Sequence, residues 1–374
     1  MRIGLNLLHA IPEIGGGWNY IANLVSALQS YDRQNHYIAF VNSASERLVC
    51  PAPNFTVIRC PVNASIRPIR VLYENTLLQA LAGRYRLDCM HWFANTQAVF
   101  NRTPAVVTIY DLQPLLRHSK YLWVKEKYLR TMLRMTAKKA PMLLPMSHAT
   151  ANDLHNLLGV DSVRMTVVPV IIEQLFKPAP ATDVDKIKSK YHLPDRFWLY
   201  VAHYYPHKNH VRLLQTYHQL KVSGRKPWAL VLRGDGLQAS SEVRHHILQL
   251  GLESDVIFLP RLERFELPKL YSSASALVFP SLYEGGGIPV VEAMACGCTL
   301  VASRLPPIEE FAGEAALYFD PLDVKTIAEN MLRIETDEEL REQYRQEGLK
   351  RAENHRADRI VPILLDAYRR ATAH

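Results

Sequence analysis

The chain has 374 residues, of which 48% are hydrophobic and 21% are charged, as in globular proteins that fold in water. A single core stops growing at about 250–300 residues, so this length predicts two domains. No run of about 18 apolar residues predicts a transmembrane helix. The five cysteines contain no C-x-x-C pair, which disfavours a disulfide framework and a zinc site and predicts a cytoplasmic protein with reduced thiols. The net charge of +8 indicates an anionic partner, but no motif suggests nucleic acid.

The first half alternates short β-rich runs with runs of helical period, a pattern typical of parallel sheets covered by helices. The first strand is followed by a glycine turn, Gly15-Gly16-Gly17, and then by an apolar helix face. The predicted strands are Ile3–Leu8, Tyr37–Val41, Phe55–Arg59, Asp88–His91, Ala105–Ile109, Met142–Pro145 and Met165–Val168.

The second half begins after the proline-rich stretch 176–181 and repeats the alternation, with a helix predicted over Lys208–Leu220. We therefore expect an α/β protein with two doubly wound, Rossmann-like domains, 1–175 and 176–355. The helix at 356–374 is expected to cross back to the N-terminal domain. The predicted strands are Trp198–Ala202, Ala229–Arg233, Val256–Leu259, Ala276–Phe279, Thr299–Ala302 and Leu317–Phe319.

Two glutamates, Glu284 and Glu292, flank a strand-to-helix turn that contains three consecutive glycines. Glycines let a ligand approach the backbone, and a helix N-terminus offers N–H groups to a diphosphate. Glu284 could accept hydrogen bonds from sugar hydroxyls, and Glu292 from a second diol such as a ribose. The alternative is an ordinary tight turn with Glu292 on a solvated face, and the residues alone do not separate the two.

The stretch from Pro280 to Cys298 reads Pro-Ser-Leu-Tyr-Glu-Gly-Gly-Gly-Ile-Pro-Val-Val-Glu-Ala-Met-Ala-Cys-Gly-Cys. It resembles the signature of retaining glycosyltransferases of family four, which have the GT-B fold. The resemblance implies an acceptor-binding N-terminal domain and a C-terminal domain that binds a sugar nucleotide. It also implies that Glu284 contacts the donor sugar and Glu292 the ribose. Gly286 replaces the family's usual phenylalanine.

The segment around Lys208 resembles the family's Gly-Arg-x5-Lys-Asn/Gly pattern, in which the lysine offsets diphosphate charge. An exposed lysine without such a role is the alternative. His203 stands where the family has arginine, and a histidine supplies that charge only when protonated. The resemblance implies catalytic roles for Glu284 and Lys208. The implied donor-binding residues are Gly16, Gly17, His203, Lys208, Arg261, Leu262, Glu284, Gly285, Gly286, Gly287, Ile288 and Glu292.

Other segments resemble the family more weakly. Asp88-Cys-Met-His91 and Tyr110-Asp111 are similar to its segments at strand ends, so Asp111 is a candidate contact to acceptor or sugar, with a turn cap as the alternative. Gly234-Asp-Gly236 resembles a glycine turn that could be purely structural. No metal-binding cluster appears, so neither a metal nor another cofactor is expected.

Seven basic residues and one acid lie between Lys120 and Lys139. A helix there would place Lys127, Arg130, Arg134 and Lys138 on one face. Docking to an anionic membrane with a lipid-linked acceptor is one interpretation, which would make the protein peripheral at the inner face of the cell membrane. A solvated face on an ordinary surface helix is the other.

The leading functional hypothesis is a retaining hexosyltransferase that builds a cell-surface polysaccharide or glycolipid on a glycan or lipid-linked acceptor. GDP-mannose is the expected donor, by likeness to O-antigen and exopolysaccharide mannosyltransferases, and UDP-sugars are the alternative. An epimerase or phosphorylase is disfavoured by the two glutamates with Glu-Ala-Met-Ala-Cys-Gly. A non-catalytic sugar-nucleotide-binding or scaffolding subunit is the remaining hypothesis, based on the missing arginine at position 203.

Overall fold

The computed structural model describes residues 1–11, 16–116, 123–234 and 240–373. The chain forms two compact units. The first comprises Met1–Ile171 and Arg356–His374, and the second comprises Ile172–His355.

The first unit is built on a parallel six-stranded sheet with the order β3-β2-β1-β4-β5-β6. The order reverses at β1, which pairs with β2 on one side and β4 on the other. Its strands are β1 (Arg2–Asn6), β2 (His36–Val41), β3 (Phe55–Arg59), β4 (Cys89–Trp92), β5 (Ala105–Ile109) and β6 (Met142–Pro145). The helices between and after these strands are α1 (Gly16–Tyr31), α2 (Arg67–Asn75), α3 (Leu77–Arg84), α4 (Trp123–Lys139) and α5 (His148–Leu158).

The second unit contains another parallel six-stranded sheet, ordered β12-β11-β10-β7-β8-β9. Its strands are β7 (Phe197–Val201), β8 (Ala229–Arg233), β9 (Val256–Leu259), β10 (Ala276–Phe279), β11 (Leu300–Ser303) and β12 (Ala316–Phe319). Its helices are α6 (Ala181–Tyr191), α7 (His210–Val222), α8 (Ser240–Leu250), α9 (Leu267–Ser273), α10 (Ile288–Ala295), α11 (Pro306–Ala312), α12 (Val324–Thr336) and α13 (Glu338–Ala352). The central strands β7, β10 and β11 are buried along their whole length, as expected where helices cover both faces of a sheet.

The last helix, α14 (Ala357–Thr372), packs within the first unit, where the Tyr368 hydroxyl lies 2.7 Å from His91 Nδ1. The α/β class, the two doubly wound sheets and the return of this helix are therefore as predicted. The first unit ends at Ile171 rather than at residue 175. Ile172 N donates to His355 O at 2.9 Å, and Phe176 packs near Tyr271, so this stretch belongs to the second unit.

Several predicted strands are shifted by one or two residues at their ends, and three differences bear on the predictions. Met165–Val168 forms only a bridge beside β6, although Thr166 N and Val168 N donate to Leu143 O and Pro145 O. The helix predicted from Lys208 begins at His210, because Asn209 has a φ of 61°. Asp88 precedes β4, where its carboxylate accepts a hydrogen bond from Arg2 N, so it lies at the amino end of the strand. Among the described helices, none combines the length and apolar character needed to cross a membrane.

Candidate active site

The turn between β10 and α10 has a backbone that only glycine fits well. Gly287 precedes the helix with a φ of 47°, in the left-handed region. A Cβ atom at this position would lie 2.7 Å from Ile308 Cδ1. Pro289 follows in the first helical turn, where a missing N–H costs nothing. The glycine turn therefore brings the chain close to α11 at the N-terminus of α10, the end of a helix that favours negative charge.

Glu284 and Lys208 are in direct contact. Lys208 ends a short 3₁₀ turn after β7, and its Nζ lies 2.5 Å from Glu284 Oε1. The two side chains are only 15% and 9% exposed, and the ammonium also lies 5.5 Å from the centre of the Phe279 ring. Such a shielded pair interacts more strongly than one on the surface. The structure thus brings together the two residues for which the family resemblance implies catalytic roles.

Backbone contacts tie the lysine segment to the glutamate segment. Leu282 N donates to His207 O at 2.7 Å, and the Tyr200 hydroxyl donates to Lys208 O at 2.6 Å. Asn209 donates from Nδ2 to Pro280 O at 3.0 Å and to a second carbonyl, that of Pro321, at 2.9 Å. Asn209 is a supporting residue to which sequence reasoning assigned no role. These bonds fix the relative position of Lys208 and Glu284.

Glu292 is 3% exposed, so the solvated face expected in the alternative interpretation is wrong. Its Oε2 accepts a hydrogen bond from the Tyr271 hydroxyl at 2.9 Å, and its Oε1 accepts one from Arg264 Nη1 at 2.8 Å. Burial raises the pKa of the Glu292 carboxyl, and the Arg264 guanidinium opposes that rise. Each carboxylate oxygen has two lone pairs, so these two bonds do not use all of its acceptor capacity.

Arg264 is itself held from a second side. Its Nε and Nη2 donate to Glu173 Oε1 at 3.1 and 2.8 Å, and its guanidinium lies 4.6 Å from the centre of the Phe176 ring. Sequence reasoning missed Arg264, Tyr271 and Glu173. The available signal was indirect, since a buried carboxylate needs a cation or hydroxyl partner that the local pattern does not identify.

The remaining predicted residues of the second unit follow strands of its sheet. His203 follows β7, with its ring 5.6 Å from that of Tyr205. Arg261 and Leu262 follow β9, where Arg261 is exposed and Leu262 is 5% exposed. Because parallel strands end at one edge, these residues and the 284–288 turn lie along the same edge, which is where doubly wound sheets bind ligands.

Predicted residues of the first unit are less clearly part of a site. Gly16 and Gly17 open α1, and Gly15 lies outside the described residues. The Asp111 carboxylate accepts a hydrogen bond from Gln113 N at 3.0 Å, the arrangement of a turn cap. Tyr110 is half-buried, with its ring 5.3 Å from that of Tyr20. The contacts of Tyr110 and Asp111 do not indicate a ligand for this segment.

The surroundings of His91 and of Gly234 indicate a structural role for each residue. His91 is fully buried inside β4, and burial lowers its pKa to about 3, so the imidazole is neutral. A Cβ on Gly234 would lie 2.1 Å from Ala202 O, so the close approach of two strands explains this glycine. The rest of its predicted turn, Asp235 and Gly236, lies outside the described residues.

Comparison with protein families gives two matches that together cover most of the chain. The family model described as "Glycosyl transferases group 1" matches residues 183–351, and that described as "Glycosyltransferase Family 4" matches residues 14–173. The first match contains Lys208, Glu284 and Glu292.

Two curated relatives are mannosyltransferases. O-antigen chain mannosyltransferase B of Escherichia coli is 27% identical over 294 residues, which cover 78% of this chain and 77% of that protein. O-antigen chain mannosyltransferase RfbU of Salmonella typhimurium is 28% identical over 227 residues, which cover 59% of this chain and 58% of that protein.

Solved structures share the whole fold. Sucrose-phosphate synthase from Thermosynechococcus elongatus superposes with a TM-score of 0.80 at 20% identity, covering 100% of this chain and 99% of that one. Anabaena HepE in complex with UDP-glucose superposes with a TM-score of 0.78 at 18% identity, covering 100% of both chains. At these identities the likeness shows the fold alone.

Proposed function

Because this chain belongs to the glycosyltransferases of group 1 and family 4, we propose that it is a retaining hexosyltransferase that takes mannose from GDP-mannose. The observation that carries the proposal is the contact between Lys208 and Glu284 beside the glycine turn before α10. A cation, a carboxylate and a helix N-terminus at one place suit a sugar joined to a diphosphate.

In the proposed reaction, the acceptor hydroxyl attacks the sugar carbon from the face that the diphosphate leaves. The bond between this carbon and the phosphate oxygen breaks, the new glycosidic bond forms, and the departing phosphate oxygen takes the hydroxyl proton. Lys208 offsets the charge that develops on the diphosphate, and Glu284 holds the sugar hydroxyls. In this proposal Glu284 acts as a hydrogen-bond acceptor and not as a nucleophile, and its contact with Lys208 holds it in place. Neither a metal nor another cofactor enters the proposal.

Mannose is favoured as the transferred sugar because the relatives from Escherichia coli and Salmonella typhimurium are mannosyltransferases. The same relatives support an acceptor in cell-surface polysaccharide synthesis, either a glycan or a lipid-linked saccharide. A UDP-sugar is the second candidate donor, because HepE binds UDP-glucose.

A transfer assay with GDP-mannose and with UDP-glucose tests the proposal, with the product's anomeric configuration read by NMR. We expect transfer from GDP-mannose, with retention and without loss of rate in EDTA. An inverted product would refute the retaining mechanism. Nucleotide binding without turnover of any donor would instead favour a non-catalytic subunit.

We also propose that α4 meets an anionic membrane, at the cytoplasmic face of the cell membrane. Lys127, Arg134 and Lys138 are exposed on one side of the helix, whereas Met132 and Leu133 are buried on the other. The fourth predicted member, Arg130, is half-buried and donates to Pro114 O. Residues 120–122 of the predicted basic segment lie outside the described residues.

Flotation with phosphatidylglycerol vesicles at low salt tests this contact. Replacing the three exposed basic residues of α4 with glutamine should abolish flotation. The matched control replaces Lys186, Lys325 and Lys350, whose side chains are 77%, 76% and 81% exposed in the second unit, and should float like the wild type. Equal flotation of both variants would refute the proposed face.

A further inference from the structure

The loop between β4 and β5 lines a cleft at the amino edge of the first sheet, which we call the amino-edge cleft. Its volume is about 280 Å³, close to the lower end of the range of about 300–1,000 Å³ for small-molecule sites. Among its lining residues, Ala105 begins β5, Lys139 ends α4 and Pro141 precedes β6, so the cleft lies at the amino ends of β5 and β6. Doubly wound sheets bind their substrates beyond the carboxyl ends of the strands, so this cleft is separate from that edge.

Amide side chains from α2 and α3 fix the shape of this loop. Asn75 Oδ1 accepts hydrogen bonds from Val99 N at 2.7 Å and from Phe100 N at 3.4 Å. Gln79 Oε1 accepts one from Arg102 N at 3.2 Å. These bonds satisfy three backbone donors of the loop and hold its chain in one conformation.

Gln97 lines the amino-edge cleft with an amide group that is almost fully buried, since the residue is 5% exposed. Its Oε1 accepts a hydrogen bond from Asn101 Nδ2 at 3.2 Å, and the same Nδ2 donates to Thr103 O at 2.8 Å. This arrangement leaves Gln97 Nε2 without a hydrogen-bond partner among the described residues. A largely buried donor is normally paired, so Gln97 Nε2 indicates that a molecule in the cleft accepts a hydrogen bond from it.

The charged side chains of the amino-edge cleft are both cationic. Arg102 and Lys139 line it and are exposed. Lys139 Nζ donates to Val99 O at 3.2 Å, which uses one of the three N–H donors of an ammonium group. Among the described lining residues none is acidic, so the charge of the cleft suits an anion.

We propose that the amino-edge cleft binds a small sugar phosphate, with the phosphate on Arg102 and Lys139 and the sugar hydroxyls on Gln97 and Thr103. A guanidinium matches phosphate oxygens with two parallel hydrogen bonds, and a lysine adds a point charge. Amide and hydroxyl groups suit sugar hydroxyls. A nucleobase would instead be expected to stack on an aromatic ring, and none of the described lining residues is aromatic. The inference goes beyond the proposed function and does not depend on it.

Isothermal titration with glucose 6-phosphate tests the site, with saturating GDP present (or UDP, if that is the nucleotide bound) to occupy any donor site. The Arg102→Gln/Lys139→Gln variant should bind it at least about 10-fold more weakly, as expected for lost charge-assisted bonds. The matched control, Arg33→Gln/Arg47→Gln, removes two exposed arginines beside β2, three strands away from β5, and should bind like the wild type. No binding by the wild type, or equal affinity in all three proteins, would overturn the proposal.

A second variant tests the buried amide. Gln97→Glu keeps the size of the side chain and an oxygen that can accept from Asn101, but it replaces the Nε2 donor with a carboxylate oxygen. It should bind glucose 6-phosphate at least about 10-fold more weakly, because a donor is lost and a like charge faces the phosphate. Wild-type affinity of a Gln97→Glu protein that circular dichroism shows to be folded would contradict the site. If this variant does not fold, the exposed pair Arg102 and Lys139 still decides the test.

Three further ligands test the class of anion. Inorganic phosphate should bind at least about 10-fold more weakly than glucose 6-phosphate, because it makes no contacts through a sugar. Equal affinity for the two would mean an adventitious ion only. Tighter binding of AMP than of glucose 6-phosphate would overturn the assignment to a sugar phosphate, and so would competition by phosphatidylglycerol vesicles, which would assign the phosphate to a lipid headgroup. If neither GDP nor UDP bound the wild type, the proposed donor would be refuted, while titration without nucleotide would still decide this site.

Discussion

Lys208 Nζ lies 2.5 Å from Glu284 Oε1, so one ion pair joins the loop after β7 to the loop after β10. The pair is largely shielded from water, and the Asn209 side chain ties the same two loops through Pro280 O. Neither residue is positioned independently of the other. Substrate binding and charge stabilisation at this edge of the sheet are therefore expected to depend on both.

Replacing Lys208 with methionine should lower kcat by about 100-fold or more, the range found when one fixed group that stabilises transition-state charge is removed. Lys221→Met is the matched control, because Lys221 Nζ forms a similar 2.6 Å ion pair with Asp255 in the same unit. Steady-state kinetics on folded proteins, checked by circular dichroism, decides the outcome. A Lys208→Met enzyme with wild-type kcat would exclude a role in the chemical step.

Glu173→Gln should raise the KM for the sugar nucleotide about 10-fold while leaving kcat unchanged, because loss of a partner behind a ligating residue typically weakens binding on this scale. The physical reason is that Glu173 holds Arg264, which in turn holds Glu292. Asp183→Asn, which removes an ion pair with Lys269 elsewhere in this unit, should leave both constants unchanged. An effect on kcat alone would contradict a positioning role.

Gly287→Ala should destabilise the protein and weaken donor binding, because it combines a strained φ with a Cβ placed 2.7 Å from Ile308 Cδ1. Gly251→Ala is the control, since its φ is also positive at 64° but a Cβ there meets nothing within 4 Å. Urea unfolding should give a loss of about 1–2 kcal/mol for the control and at least about 1 kcal/mol more for Gly287→Ala.

The clash at Gly287 can be relieved separately. Ile308→Val removes the Cδ1 atom that the new Cβ would meet, so the double variant should recover the extra loss seen for Gly287→Ala over Gly251→Ala. Failure of this rescue would mean that backbone strain alone causes the loss.

The stability of the chain should fall as the pH drops from about 6.5 towards 3. Burial lowers the pKa of His91 and of His210 to about 3, whereas an unfolded chain binds a proton at about 6.5. Between these values the unfolded state binds more protons, so stability rises with pH by up to about 1.4 kcal/mol per pH unit for each histidine. Above pH 6.5 this contribution is constant.

Urea unfolding at several pH values measures that slope. His91→Asn should reduce the slope of stability against pH by the contribution of one histidine, which is up to about 1.4 kcal/mol per pH unit. Thr108→Val removes the hydroxyl 2.8 Å from His91 Nε2 but keeps the imidazole, so it should lower stability without changing the slope. A His91→Asn slope equal to that of the wild type would contradict a neutral buried histidine.

The sequence predicts a structural feature well when that feature depends on residues that are close together in the chain. The strands at Phe55–Arg59, Ala229–Arg233 and Ala276–Phe279 match their predicted bounds, because buried strands between turns have a clear local pattern. The helix predicted from Lys208 starts late, because the left-handed conformation of Asn209 depends on carbonyl partners from two other loops.

The residues that hold Glu292 in place could not be predicted from the sequence, because they too are distant from it along the chain. Arg264 contacts Glu292 across 28 residues of sequence and Glu173 across 91, and no local periodicity encodes such pairs. Residue types and spacing predicted the turn from Glu284 to Glu292, whereas the partners that hold these carboxylates required the fold.

Titration of GDP-mannose, with UDP-glucose in parallel, into the wild type and a Glu292→Gln variant tests the central claim most directly. Glu329→Gln is the control, since the Glu329 side chain is 61% exposed on α12 of the same unit. The account predicts that the wild type and the control bind the same donor, and that Glu292→Gln binds it at least about 10-fold more weakly, because a charged hydrogen-bond acceptor is lost. Wild-type affinity of a folded Glu292→Gln protein for the donor would contradict a sugar-nucleotide site at this turn.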